Sequence, residues 1–224
     1  MSVRPKHIAG PIETVFTGIV EGVGEVTERT ETDDGLRVRI AADWLDVPDR
    51  GASVSVSGCC LTVEDRGEGW FETFLAEETR DVTSLEDLDV GEQVNLERAM
   101  PADGRFDGHV VQGHVDETVA VREVSSAGED WRYTFDLPDD DRYLVPKGSI
   151  TLDGISLTIA AIEADAGTFD VAIIPETYEA TTLSEKDAGD LINVEYDVIA
   201  KYVESMLDGR EDDADARRLA GELQ

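Results

Sequence analysis

Both cysteines of the chain stand side by side in SGCCLTVED, residues 57–65. Adjacent thiols could act as a nucleophile, ligate a metal, form a disulfide or simply pack. A disulfide between sequence neighbours needs strained geometry, and two thiols alone do not close a structural zinc site. Two histidines, His109 and His114, lie in GHVVQGH. Five residues apart on one regular strand, they face opposite ways and cannot chelate together. His114 sits beside Gly113 and two residues before Asp116, and reads instead as a pocket-lining residue. GISLT (154–158) lacks the last glycine of a nucleophile elbow, and no histidine follows it. No phosphate-binding G-x-x-x-x-G-K-[ST] is present, and GVGEVT lacks the third glycine of a dinucleotide fingerprint.

What must position these groups is a unit written twice. FTGIVEGVGEV (16–26) is echoed by VQGHVDETVAV (111–121), with Gly113 matching Gly18 at an offset of 95. SGCCLTV (57–63) is echoed by DGISLTI (153–159) at 96, and EETRDVTSL (77–85) by PETYEATTL (175–183) at 98. VGEQVNLE (90–97) is echoed by AGDLINVE (188–195), also at 98. Four blocks in one order at nearly constant spacing mean two copies of a unit of about 95 residues.

Each unit reads as β. Apolar residues alternate in LRVRI (36–40), ASVSVSG (52–58), WFETFLA (70–76) and QVNLERA (93–99), with glycine punctuation between them. Short, closely spaced strands favour a small closed barrel, which has no exposed edge, over an open two-sheet sandwich. DVTSLEDL (81–88) and EATTLSEKD (179–187) are expected to hold short helices beside the barrels. In VIAKYVESML (198–207), Ile199, Tyr202, Val203, Met206 and Leu207 form one apolar helical stripe with no counterpart in the first unit. Such a stripe either caps its own barrel or packs against another subunit, and its position after two complete barrels favours assembly. DGREDDADARRLAGELQ, highly charged after the stop signal of Gly209, reads as a solvated tail.

The repeat separates the two thiols. Cys59 aligns with Ile155, and shares a strand face with Leu61 and Val63. That face is apolar in both copies, so Cys59 reads as a small buried hydrophobe. Cys60 aligns with Ser156 on the opposite face, next to Thr62 and Thr158 respectively. Small hydrogen-bonding groups recurring on one face suggest one polar heterocyclic ligand per copy. The structural alternative is that these hydroxyls bond neighbouring backbone.

Composition bounds the rest. There are 51 acidic and 19 basic residues, a net charge of −32. Nothing so acidic offers a basic surface to phosphates, which excludes nucleic-acid binding. Regular apolar strands argue against disorder, so the acidity is read as adaptation to high salt, where screening relieves self-repulsion. No apolar run approaches the roughly 20 residues that span a bilayer. The first 14 residues do not read as a signal peptide, and a cytoplasmic protein is expected.

At this point the blocks FTGIVEGVGEV, GCCLTV, ETRDVTSL, VNLERAM, GHVVQGHVD, KGSITLDGISLTI, IPETYEATTL and INVEYDVIAKYVE together resemble the α-chain type of riboflavin synthase, from about Val15 to Glu204. The resemblance implies an all-β fold of two tandem six-stranded Greek-key barrels, residues 15–104 and 105–197, and a trimerisation helix over 198–208. An N-terminal extension covers 1–14 and an acidic tail 209–224. Family members usually begin almost at the phenylalanine of F-T-G-I-V, so the chain start would be rearranged around the extension.

The implied reaction is a dismutation of two 6,7-dimethyl-8-ribityllumazine molecules, giving riboflavin and 5-amino-6-(D-ribitylamino)uracil, without metal or organic cofactor. The implied assembly is a homotrimer whose site forms between the N-terminal barrel of one subunit and the C-terminal barrel of another, with association with lumazine synthase also expected. Carried over by motif, Gly18, Ile19 and Val20 line a first pocket with Cys60, Leu61, Thr62, Ala76, Glu78 and Thr79. Gly113, His114 and Val115 line a second with Lys147, Ser156, Leu157, Thr158, Ile174, Pro175, Glu176 and Thr177. Phe16, Ser53, Cys60, Asp153, Ser156 and Asp197 match positions the family associates with catalysis or its support. Ser156 and Asp197 would polarise the reacting ring, with Cys60 assisting as a donor or weak nucleophile. Asp153 has the alternative of a turn residue, Ser53 of a backbone-bonding strand residue, and Glu78 and Glu176 of surface residues. Lumazine- and flavin-binding fluorescent proteins share the double barrel without catalysis and tend to lose polar residues in one barrel. Polar faces in both copies favour the enzyme.

Overall fold

The computed structural model describes residues 14–207. Residues 1–13 of the extension and the expected tail at 209–224 lie outside the described residues. The first unit forms β1 (Gly22–Thr32), β2 (Gly35–Ala41), β3 (Ser53–Val56), β4 (Cys59–Gly67), β5 (Trp70–Ala76) and β6 (Gln93–Arg98). The second forms β7 (Glu117–Ala127), β8 (Asp130–Asp136), β9 (Ser149–Leu152), β10 (Ile155–Glu163), β11 (Thr168–Ile173) and β12 (Leu191–Tyr196). Each set closes into an antiparallel barrel, ordered β1-β2-β5-β4-β3-β6 and, read round the ring from β7, β7-β8-β11-β10-β9-β12. The closed barrel prevails over the sandwich because the first and last strands of each unit pair, β1 with β6 and β7 with β12.

The alternation seen in the sequence is the inside–outside pattern of the barrels. Val26, Leu36, Ile40, Val54, Leu61, Phe71 and Leu96 fill the first, each 5% exposed or less. Val121, Phe135, Ile150, Ile159, Phe169 and Val194 fill the second. Burying each side chain of this size stabilises by roughly 1.5–3 kcal/mol. The bends that curl the sheets recur in register, with ladder irregularities at Val26/Glu28 and Val121/Glu123, and at Val63/Asp65 and Ile159/Ala161.

The two barrels meet at equivalent hairpins. Ser57-Gly58 joins β3 to β4 and Asp153-Gly154 joins β9 to β10, all four residues at positive φ, as two-residue turns of matching twist require. A Cβ on Gly58 would come within 2.8 Å of the Gly154 nitrogen, so the two turns pack backbone to backbone. Asn95 of β6 donates from Nδ2 to the Asp153 carbonyl (2.9 Å), and Asn193 of β12 donates to the Ser57 carbonyl (2.9 Å). Their Oδ1 atoms accept the N–H groups of Thr182 and Ser84, both at 2.8 Å. These buried amides tie each barrel to the other's turn.

The short helices begin earlier than the sequence suggested. α1 covers Glu77–Val82, directly after β5, and α2 Pro175–Ala180, one residue after β11. The expected stretches hold instead a 3-10 turn each, Ser84–Asp87 and Thr182–Glu185. Thr83 and Thr181 cause the break: each is extended, and its hydroxyl accepts the N–H two residues on, capping a new turn whose leucine is buried. The terminal helix α3 spans residues 198–207. Its stripe of Ile199, Tyr202, Val203, Met206 and Leu207 is 50–66% exposed, so it does not cap its own barrel. No helix among the described residues is long and apolar enough to cross a membrane.

Candidate active site

Two chain segments outside the barrel ladders organise the outward faces of β4 and β10. Strap 1 is residues 14–21 and strap 2 residues 109–116; they pair with each other where the Phe16 N–H donates to the Val111 carbonyl (2.8 Å) and the Val111 N–H to the Phe16 carbonyl (3.1 Å). Phe16 is wholly buried at this crossing. Beyond it, each strap reaches the barrel of the other repeat. The Ser156 N–H donates to the Gly18 carbonyl (2.7 Å), and the Cys60 N–H donates to the Gly113 carbonyl (2.8 Å). Val20 packs against the second core and Val115 against the first. Both strap glycines have positive φ, 74° and 77°, and a Cβ on either would sit 2.6 Å from the Ser156 or Cys60 Cβ. Only glycine allows so close a backbone approach.

This exchange corrects the grouping drawn from the sequence. Gly18, Ile19 and Val20 belong with Ser156 and Leu157, and Gly113, His114 and Val115 with Cys60 and Leu61. A twofold repeat gives each segment its place within a unit. It does not say which of two equivalent barrels a segment outside the ladders will join.

On the first barrel, Cys60 is half-buried and Thr62 exposed, while Cys59 and Leu61 point into the core. Burial pushes the Cys59 thiol up to about 12. Burial also raises Cys60, with a hydrogen bond from Ser53 acting against it and the charge of Glu195 with it. Cys60 is therefore a thiol at neutrality, a weak donor rather than a ready nucleophile. Ser53 also lies 3.1 Å from the Thr14 hydroxyl at the start of strap 1. Continuing the β4–β5 register from the Val63–Thr73 pair puts Ala76 alongside Cys60, which brings Glu78 and Thr79 of α1 to the same end of the barrel. Glu78 is exposed.

The second barrel repeats the plan with different chemistry. Ser156 is half-buried, Thr158 exposed and Leu157 in the core. The β10–β11 register puts Ile174 alongside Ser156, followed by Pro175, Glu176 and Thr177 of α2. His109, at the start of strap 2, lies with Nδ1 2.7 Å from Ser156 Oγ and Nε2 3.1 Å from Thr151 Oγ1. Burial lowers the His109 pKa below its ordinary 6.5, with the charge of Asp197 opposing, so the ring is neutral at pH 7. Asp197 itself caps α3, accepting the Ile199 N–H at 2.9 Å. Lys147 is exposed at the other end of this face, its N–H donated to Ile159.

Asp153 does not reach either face. It is buried in the inter-barrel turn, where Oδ1 accepts the Asn193 N–H (2.8 Å) and Oδ2 lies 3.4 Å from Lys186 Nζ. Burial raises its pKa, with Lys186 opposing.

Three residues that matter here were missed. The histidine pair was read on one regular strand, but residues 109–114 make only a single bridge, at Val111. His109 thus turns to Ser156 independently of His114, which is exposed. Its counterpart 95 residues earlier is Thr14, and that substitution is the available signal. The other two are Glu97 and Glu195, buried acids at equivalent positions. Glu97 accepts from the Thr17 N–H (2.7 Å), the Thr17 hydroxyl (2.8 Å) and the Gly18 N–H (2.9 Å). Glu195 accepts from the N–H groups of Gln112 (2.7 Å), Gly113 (2.9 Å) and His114 (3.0 Å). Glutamate recurring in VNLE and INVE, on the strand face opposite the core residues, was a legible sign of a repeated structural acid.

A cavity of about 850 Å³ opens beside Ser53, lined among others by Thr17, Ile19, Glu97, Arg98 and Met100. Its lining does not include Cys60 or Ser156.

A family profile described as the lumazine binding domain matches residues 17–99 and 112–197, one copy per barrel. Riboflavin synthase from Mycobacterium tuberculosis is 42% identical over 198 residues, covering 86% of this chain and 98% of that one. Those from Actinobacillus pleuropneumoniae and Bacillus subtilis are 40% identical, covering 86% and 84% of this chain and 90% and 88% of theirs. Among solved structures, LumP complexed with riboflavin is 24% identical with a TM-score of 0.74, over 81% of this chain and 98% of that chain, a likeness of fold. Two matched domains and relatives of this identity along nearly the whole folded part place the chain in the riboflavin synthase family.

Proposed function

We propose that each outward face, Cys60–Thr62 and Ser156–Thr158, takes one 6,7-dimethyl-8-ribityllumazine, and that the Ser156 face holds the residues that start the chemistry. The observation that carries this reading is the Ser156–His109 contact at 2.7 Å, present on one of two otherwise equivalent faces. The family's dismutation needs two like substrates with unlike fates. One gives up a four-carbon unit and leaves as the ribitylaminouracil; the other gains it and becomes riboflavin. The two products together hold the atoms of the two substrates, so no outside oxidant or reductant enters. The donor's C–N bonds break, two C–C bonds form, and a proton leaves the 7-methyl group, whose anion the ring delocalises.

Neutral His109 suits that proton step. In one tautomer its Nδ1–H donates to Ser156 Oγ and frees the hydroxyl to donate to the ring. In the other it takes a proton through Ser156. General acid–base help of this kind contributes roughly 10²–10⁴-fold. Asp197, near enough to act on His109, would favour the charged imidazole as it forms. Cys60 would give a thiol hydrogen bond on the other face.

The exposed stripe of α3 supports assembly into a homotrimer, in which faces of neighbouring subunits would stack their two rings and supply rate by orientation. A cytoplasmic enzyme working in strong salt is part of the same reading, carried by the net charge of −32. The test is incubation of the purified protein with dimethyl-ribityllumazine in strong salt, followed by absorbance. Riboflavin formation is expected. Stoichiometric lumazine binding without riboflavin would replace the enzyme by a chromophore-binding protein.

A further inference from the structure

The acids of β6 and β12 are used by no step above, yet they are buried carboxylates on which the strap donors converge. Glu195 is 2% exposed and Glu97 5%. Each receives three hydrogen bonds from a strap, and all but the Thr17 hydroxyl bond come from backbone N–H groups. What each acid holds then touches the opposite barrel. Glu195 belongs to the second barrel, but the Gly113 it fixes accepts the N–H of Cys60 in the first. Glu97 belongs to the first, but the Gly18 it fixes accepts the N–H of Ser156 in the second.

A buried carboxylate is costly unless donors converge on it. Both barrels nevertheless keep one at the same place, where an apolar residue could not hold the strap N–H groups. We propose that Glu195 and Glu97 are crossed positioning residues: Glu195 sets the Cys60 face and Glu97 sets the Ser156 face, each from the other barrel. This rests on the two-face reading above. Neither acid touches the ring; each acts through the strap glycine whose carbonyl abuts the half-buried thiol or hydroxyl.

Charged and titratable groups facing Glu195 come from two elements: Lys201 of α3, itself paired with Asp116 of the strap at 2.6 Å, and Cys59 and Cys60 of β4. Burial raises the Glu195 carboxyl to about 7 against the strap N–H groups and Lys201. A carboxyl raised by burial binds its proton more tightly under the strap than away from it, so the strap should tighten as the acid takes up its proton.

The experiment follows Cys60 labelling by a thiol-specific disulfide reagent in the full chain, alongside riboflavin formation. Cys59, buried in the core, supplies the slow background. Glu195→Gln places an amide N–H against strap donors, so Cys60 labelling should accelerate about tenfold or more, the size expected for losing a buried hydrogen bond. Glu97→Gln should leave Cys60 labelling within about twofold and lower kcat, since it disturbs the Ser156 face. In the unsubstituted protein, labelling corrected for the thiolate fraction should fall as pH falls through about 7. This pH dependence should be absent in Glu195→Gln. Acceleration by Glu97→Gln in place of Glu195→Gln, or none by either, would overturn the crossed assignment. Should Glu195→Gln not fold, a flat corrected labelling rate between pH 8 and 6 in the native protein overturns it equally (about two pH units span the change). Labelling does not depend on turnover, so absence of riboflavin formation from the unsubstituted protein would strike the enzyme reading alone.

Discussion

The two barrels share strand order, hairpin turns, strap glycines and buried acids, and they differ in what stands beside the proposed substrate face. The first presents Cys60 with Ser53 and Thr14 hydroxyls around it. The second presents Ser156 with an imidazole in contact and an acid nearby. Duplication supplies two binding sites at once. A reaction with unlike roles then needs the copies to diverge, and here the divergence is confined to a few side chains on an unchanged frame. The difference teaches where to look for chemistry in a repeat protein: at aligned positions where one copy keeps a group the other lacks.

The largest expected effect breaks that difference outright. Ser156→Ala and His109→Ala should each lower kcat about 10²-fold or more while lumazine still binds the first barrel, measured by riboflavin absorbance and by substrate titration. Undiminished turnover in Ser156→Ala would remove the assigned roles. Next in size, Gly18→Ala and Gly113→Ala force a Cβ into the opposite barrel at a positive φ, each costing roughly 1–3 kcal/mol, read as a lowered Tm. Loss of binding at only one face in each variant would sharpen the crossed pairing. Cys60→Ser makes the faces more alike, and because the thiol is held protonated, kcat should fall less than about tenfold. A much deeper loss would mean Cys60 reacts as a thiolate.

The smallest effect is a pH dependence of stability. The Glu195 pKa is raised in the fold above its ordinary 4.5, so the native state binds the extra proton between about 4.5 and 7. Stability from this group is greatest below that window and is lost as pH rises through it. Thermal melts at pH 5 and 7.5 should show the native protein losing more Tm across this range than Glu195→Gln.

Much of this was legible in the sequence, because a repeat carries its own control. Comparing GCCLTV with GISLTI separated Cys59 from Cys60 before any coordinates, and the alternation of apolar residues gave strands close to those observed. The short helices slipped by four residues because propensity does not reveal that Thr83 and Thr181 cap a second turn. The exchange of straps was hidden for a deeper reason. Gly18 and Gly113 have equivalent surroundings whichever barrel they join, so no local pattern distinguishes the two arrangements. His109 escaped because a strand rule was applied to a segment that is not a strand.

The crossing of the straps also bears on how the chain is made. The first barrel has all six strands once Arg98 is synthesised, but the Gly113 that backs its Cys60 face comes later and remains tied to β12 through Glu195. During synthesis every strand of the first barrel is therefore made before the strap that backs its Cys60 face. That face is finished only when the last strand of the second barrel arrives, so neither half in isolation inherits a working half of the activity.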